Sequence, residues 1–267
     1  MTVLIGALRD SSVMAWRNLV TIKRNPDQLL GAIVEPIIFV LLFAYVFAGS
    51  LGGEGYRHFL VAGVFVQTVA FNSSFTTLGL ANDLAKGMID RFRSLPMSRL
   101  AVLLGRTASD LVVTGIALVI MTVAGLAVGW RIEGGVFDAV LGYLLLLLFA
   151  FAMSWVGVWV GLLCRSVEVA QSAGLIWLFP VTFIASVFVS AQTLPGPLRA
   201  FADWNPVSAM SDATRALFGN PIQPPGIAAA TNWPAQHATL YALLTSLAII
   251  AVFTSLSLLR YHQVAGR

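Results

Sequence analysis

The stretch FLVAGVFVQTVAFNSSFTTLGLAN, Phe59 to Asn82, decides the fold. It holds no charged side chain, and a helix needs about 20 such residues to cross about 30 Å of hydrocarbon. Outward from it, charge-free intervals recur at Pro36 to Gly53, Leu111 to Trp130, Ala139 to Cys164, Val169 to Leu198 and Ala238 to Leu259. Each reaches about 20 residues, so the expectation is an all-α, polytopic membrane protein with six transmembrane helices. A further charge-free stretch, Ala216 to Gln236, contains Pro221, Pro224, Pro225 and Pro234 with Asn220, Gln223 and Asn232. Missing amide donors and unpaired polar groups cannot be satisfied in lipid, so it reads as a loop.

The composition agrees. Of 267 residues, 58% are apolar and 10% charged, against about 25% charged in a soluble domain. The lone Cys164 offers neither an internal disulfide nor a paired-thiol metal site. The opening residues MTVLIGALRD break their apolar run at Arg9 and Asp10, so the amino terminus is expected to be retained. A net charge of +4 is distributed over loops between spans, which excludes a nucleic-acid partner and fits basic residues held near anionic lipid. Twelve of the sixteen Lys and Arg side chains fall on one side of the expected spans. By the positive-inside rule both termini are cytoplasmic.

Four regions stand out from the spans. From about Leu4 to Asn25, Arg9, Arg17 and Arg24 share one arc of a helix while Leu4, Leu8, Trp16 and Leu19 occupy another, the pattern of an interfacial amphipathic helix. It anchors span one in lipid or binds a partner. Glu35 lies inside span one, where a carboxylate costs about 2 to 3 kcal/mol unless paired or wet. It either snorkels to the cytoplasmic interface or pairs with a neighbouring segment.

The third region is DLAKGMIDRFRSLPMSR, Asp83 to Arg99. Asp83 and Lys86, and Asp90 and Arg93, stand three apart, as helical ion pairs do. Leu84, Met88 and Phe92 form an apolar ridge at steps of four, and Leu95-Pro96 stops the helix. Such a ridge, ringed by charge, suits insertion into a soluble partner's groove rather than a plain solvated loop. The fourth region is Leu194 to Asn220, where Asn205 can cap a helix that starts at Pro206 and ends at Gly219. Val207, Met210, Thr214 and Leu217 share one face, and Ser208, Ser211, Asp212 and Arg215 look elsewhere. This predicts a short amphipathic helix at the outer leaflet, serving as a lid or dipping back toward the membrane.

Together GAIVEPIIFVLLF (Gly31 to Phe43), DLAKGMIDRFRSLPMSR with the following LLGR ending at Arg106, and the Leu194-Pro195 and Asn205-Pro206 pairs resemble the permease subunit of ABC-type 2 transporters. Within that group the chain looks most like the daunorubicin/doxorubicin-resistance drug-efflux permeases of actinobacteria. The resemblance covers essentially the whole chain and implies one transmembrane domain over 1–267. Its parts would be a cytoplasmic connecting helix (1–28), spans at 29–49, 59–81, 103–129, 139–163, 169–192 and 238–259, a coupling helix (83–99), an extracellular re-entrant segment and loop (194–236), and a cytoplasmic tail (260–267).

The resemblance further implies that Asp83, Leu84, Lys86, Gly87, Met88, Asp90, Arg91, Phe92, Arg93 and Pro96 couple the chain to a nucleotide-binding ATPase subunit. Arg9, Trp16, Arg17, Lys23 and Arg24 would lie on the connecting helix. Spans two and five would line the substrate path at an interface with a second permease copy or a similar subunit. Candidates on that path are Phe65, Gln67, Phe71, Asn72, Phe75 and Thr76, then Trp177, Phe179 and Phe183, aromatic walls that suit a bulky hydrophobic ligand.

The residues agree independently that the motor is elsewhere. Lys23 and Lys86 are followed by Arg24 and Gly87, so neither belongs to a phosphate-binding loop. ATP and Mg would therefore be bound by the partner, with no cofactor in this chain. Two other classes fit worse. A proton-coupled secondary transporter wants ionisable groups near the midplane, whereas Glu35 and Asp110 fall toward the cytoplasmic ends of their spans. An intramembrane enzyme would need a nucleophile with its base or a metal motif, and His58, His237 and His262 belong to neither.

Overall fold

The computed structural model describes residues 13–18, 20, 26–47, 53–88, 99–228 and 230–264. Among them the regular structure is helical, without strands. Helix α1 (Pro26–Leu41) runs into a π-helical segment, Leu42–Phe47. It is followed by α2 (Gly53–Ala85), α3 (Arg99–Ala127) and α4 (Val136–Leu163). Two short helices come next, α5 (Val167–Ile176) and α6 (Leu178–Phe183), then a 3-10 turn at Ala191–Thr193. The chain closes with α7 (Gly196–Asp203), α8 (Pro206–Phe218), α9 (Trp233–Gln236) and α10 (Ala238–Val264).

Among the described residues, four helices are long and apolar enough to cross a membrane: Gly53–Ala85, Ala101–Ala127, Val136–Leu163 and Ala238–Tyr261. The first and fifth expected spans correspond to shorter apolar helices, Val34–Val46 and Val167–Phe183. Helix α2 is the least apolar of the four and the most buried, whereas α10 and α3 are the least buried. That ordering follows from the solvent: an outer helix must match lipid, while a central helix can carry polar groups that its neighbours satisfy.

Helices α2 and α4 approach closely because small residues line their contact. Cβ atoms at Gly157 would strike the Ser73 carbonyl, and at Gly161 would fall 3.0 Å from the Thr77 carbonyl oxygen. The Thr77 hydroxyl donates across the gap to the Gly157 carbonyl at 3.0 Å. Gly157 and Gly161 form a small-xxx-small pair, which lets helix backbones meet in lipid. On one side of this contact Phe65, Trp130, Tyr143 and Phe218 build an aromatic cluster, with the Phe65 and Trp130 ring centroids 5.3 Å apart. Elsewhere Leu80, Leu103, Trp155, Leu162 and Tyr261 form a separate core.

Three expectations need correcting. The interval 169–192 is not one helix: α5 stops at Ile176, α6 ends at Phe183, and residues 184–190 carry no helix. Pro180 and the neighbouring helix α8 explain the break, since α8 offers side chains that satisfy the freed backbone. Helix α8 is not a surface amphipathic helix, because Ser208, Ser211, Asp212, Thr214 and Arg215 are buried along with its apolar face. Finally, Asp83 to Arg99 does not begin as a separate coupling helix. Asp83 and Leu84 belong to the end of α2, which a turn at Lys86 and Gly87 terminates, Gly87 taking a φ of +63°. That left-handed residue interrupts the step of four from Leu84 to Met88.

Candidate functional site

A groove of about 310 Å³ opens between α1, α2 and the α5–α6 pair. The α1 and α2 walls are stripes of residues four apart on one helix face, and the third wall continues that spacing across two helices. From α1 come Glu35 and Phe39, and from α2 come Gln67, Phe71 and Phe75, with Thr68, Asn72, Ser74 and Leu78 beside them. The α5–α6 wall supplies Gln171, Leu175, Phe179 and Phe183. Phe71 meets Phe179 edge-on at 5.4 Å, and Phe179 stacks on Phe183 at 5.5 Å. Gly174 lets α5 settle against α2, where a Cβ would lie 3.3 Å from Ser74 Cβ.

The lining is mainly apolar, with a few polar groups. Asn72 Nδ2 donates to Thr114 Oγ1 at 3.1 Å, which ties its amide to α3. The Ser74 hydroxyl donates to the Phe71 carbonyl. Gln67 is buried, and among the described residues no donor reaches its Oε1. Glu35 reaches the groove from α1, and among the described residues it forms no salt bridge.

Of the nine path candidates, Gln67, Phe71, Asn72, Phe75, Phe179 and Phe183 line this groove, and Phe65, Thr76 and Trp177 do not. Phe65 belongs to the aromatic cluster. Thr76 points to α3, donating to Asp110 Oδ2 at 2.7 Å. Trp177 packs against the main core at the junction of α5 and α6. Sequence reasoning missed Phe39, Gln171 and Leu175, although the step of four from Phe179 and Phe183 leads back to the last two.

Beside the groove, α3 presents a polar face to α2. Arg106 lies 3.4 Å from Asp110 and donates through Nη2 to the Phe75 carbonyl at 3.1 Å. Gly79 makes room for this guanidinium. Arg17 pairs with Asp83 at 3.5 Å, which replaces the expected Asp83–Lys86 pair, and Asn18 donates to Ser109 Oγ at 3.4 Å. Trp16 is exposed on the same short helix. Thus residues 13–18 touch the end of α2 at Asp83 and the first half of α3 at Ser109. The other expected connecting and coupling residues, Arg9, Lys23, Arg24, Asp90, Arg91, Phe92, Arg93 and Pro96, lie outside the described residues.

On the other side of the molecule the broken fifth element is held by buried polar side chains. Arg215, fully buried, donates to the Phe59 carbonyl at 3.0 Å, to the Val187 carbonyl at 2.9 Å and to Asp212 Oδ1 at 3.0 Å. Its guanidinium carbon lies 3.6 Å from the centre of the Phe59 ring. Ser186 donates to Asp212 at 2.9 Å, and Tyr56 to the Phe188 carbonyl at 2.9 Å. Asn205 caps α8 by accepting from the Val207 amide at 2.9 Å. Its Nδ2 donates to the Val181 and Ile184 carbonyls at 2.6 and 3.1 Å. The sequence places Arg215 on the polar face of an outer-leaflet helix, and its spacing of three from Asp212 is the signal for the buried pair.

The groove, the broken fifth element and the buried helix after it belong to one topology, and residues 10–218 match the ABC-2 type transporter family. The chain belongs to that family. It is 35% identical over 204 residues to the daunorubicin resistance ABC transporter permease protein DrrB1 of Streptomyces coeruleorubidus, covering 76% of this chain and 72% of that one. To the doxorubicin resistance ABC transporter permease protein DrrB of Mycobacterium tuberculosis it is 27% identical over 245 residues, covering 87% and 83%. This ABC-2 type chain is therefore a multi-pass membrane protein and a transport subunit of an ABC exporter, not a catalytic enzyme.

Proposed function

We propose that the chain is the permease half of an exporter that moves a hydrophobic or amphipathic molecule, a drug or a lipid, across the plasma membrane. ATP hydrolysis in a separate nucleotide-binding subunit drives the movement. The observation that carries this reading is the phenylalanine-lined groove between α1, α2 and α5–α6, in a chain of the ABC-2 type family. Flat aromatic walls bind varied apolar ligands through area, and sparse polar groups orient them. Its position on spans two and five favours a path completed by a second permease copy. The pairing of Arg17 with Asp83 supports a cytoplasmic face on which the amino-terminal helix and the α2–α3 connection act together on the ATPase subunit. Both termini then face the cytoplasm.

The test is co-reconstitution with the nucleotide-binding subunit in proteoliposomes, reading ATP-dependent movement of an amphipathic fluorescent dye. Wild-type chain should transport only with the partner and hydrolysable ATP, and Phe179→Ala should cut the rate several-fold without loss of assembly. Dye accumulation driven by a pH gradient alone, with neither partner nor nucleotide, would overturn the proposal.

A further inference from the structure

We infer that Gln67 sets ligand selectivity in the groove by accepting a hydrogen bond from a hydroxyl on an aromatic ligand. The inference rests on the groove being the ligand site proposed above. Gln67 is 3% exposed, stands one helical turn from Phe71 on the wall of α2, and lines the cavity. Its Oε1 is enclosed, and among the described residues no donor reaches it. An unfilled amide acceptor in apolar surroundings costs about 1 to 3 kcal/mol. Evolution usually removes such a group or pairs it. Two polar neighbours on α2 are engaged elsewhere: the Ser74 hydroxyl donates to the Phe71 carbonyl, and Asn72 Nδ2 to Thr114 Oγ1.

A donor on whatever occupies the cavity can supply the missing bond. Rotation about the last side-chain torsion turns the amide oxygen toward the groove, where the Phe71 and Phe179 rings offer an apolar wall to an aromatic ligand. A ligand edge carrying O–H then meets Gln67, while an ether at the same place presents only a second acceptor to it. Sites built to hydrogen-bond a hydroxyl discriminate against analogues lacking it more strongly than sites that read shape.

The experiment uses the full chain in lipid nanodiscs and two planar probes differing at one position, 7-hydroxyflavone and 7-methoxyflavone, with binding followed by tryptophan quenching. Wild type should prefer the hydroxyl form by about tenfold, the equivalent of one net hydrogen bond. Gln67→Leu, similar in volume, should reduce the preference to about twofold or less by weakening only the hydroxyl form. Phe179→Ala should weaken both probes equally. Equal affinities in wild type, or a preference that survives Gln67→Leu, would overturn the assignment while leaving the groove as ligand site. A Gln67→Leu chain that loses self-association yet keeps the hydroxyl preference overturns it too, in favour of a purely structural amide. Failure of both probes to bind removes the groove reading itself, and this inference with it.

Discussion

Arg215 shows what a single residue can cost and hold. A guanidinium taken wholly out of solvent is tolerated only if its donors are spent, and three are: on two carbonyls from different elements and on Asp212. Arg215→Met should therefore destabilise the chain by about 3 kcal/mol, because it strands a buried carboxylate and two carbonyls. The measurement is the thermal midpoint in detergent. Adding Asp212→Leu should recover only part of the loss, since the Phe59 and Val187 carbonyls stay unpaired; full recovery would mean that the ion pair alone matters. Gly63 belongs to the same construction, for a Cβ there would collide with the Val187 carbonyl and press on Arg215 Nη2 at 2.8 Å. Gly63→Ala should lower the midpoint comparably. The exposed Arg199, whose Asp203 partner is 3.8 Å away, sets the contrast: Arg199→Met should change stability by less than about 0.5 kcal/mol.

Among elements, the fifth is the informative one. Backbone that leaves the helix at membrane depth survives only where protein supplies its partners, and Asn205 supplies two of them, to the Val181 and Ile184 carbonyls, besides capping α8. An ordinary cap removed by alanine costs about 1 kcal/mol. Asn205→Ala should exceed that, while Asn232→Ala, which loses only its bond from Ala235, should stay near it. Equal losses would show that the Val181 and Ile184 carbonyls find water instead. At the α2–α4 contact, Gly161→Leu should force the helices apart and abolish assembly, whereas Leu163→Ala, on an exposed position, should not. The start and stop of α8 were legible because Asn-Pro and a terminal glycine are local signals, and Gly219 duly sits at φ +70°. For the break after Ile176 the local signal was Pro180, whereas the non-helical stretch beyond Phe183 was not legible, because its partners Asn205 and Ser208 arrive from 21 to 24 residues downstream. Charge-free length alone cannot separate a straight span from an interrupted one.

For the whole molecule, the groove was legible in part, and periodicity explains which part. Gln67, Phe71 and Phe75 share a face, and so do Phe179 and Phe183; Phe65 and Thr76 fall off the first stripe and Trp177 off the second. Choosing by residue type gathered all of them, whereas a step of four would have dropped these three, together with Asn72, which does line the groove, and added Gln171 and Leu175. Orientation is testable on the same scale. In a Cys164→Ser background, Lys86→Cys should react with impermeant maleimide only from the cytoplasm, and Asn232→Cys only from outside; the opposite pattern reverses the topology. The two ends of the fifth element answer to different neighbours. Its first arm, Val167–Ile176, rests on Ser74 through Gly174, while the stretch around Val187 is bolted to α8 by Arg215. Such a strut works as a knee. Gln171 and Leu175 on the cavity wall therefore belong to an arm that Arg215 does not hold, and the two arms have separate anchors.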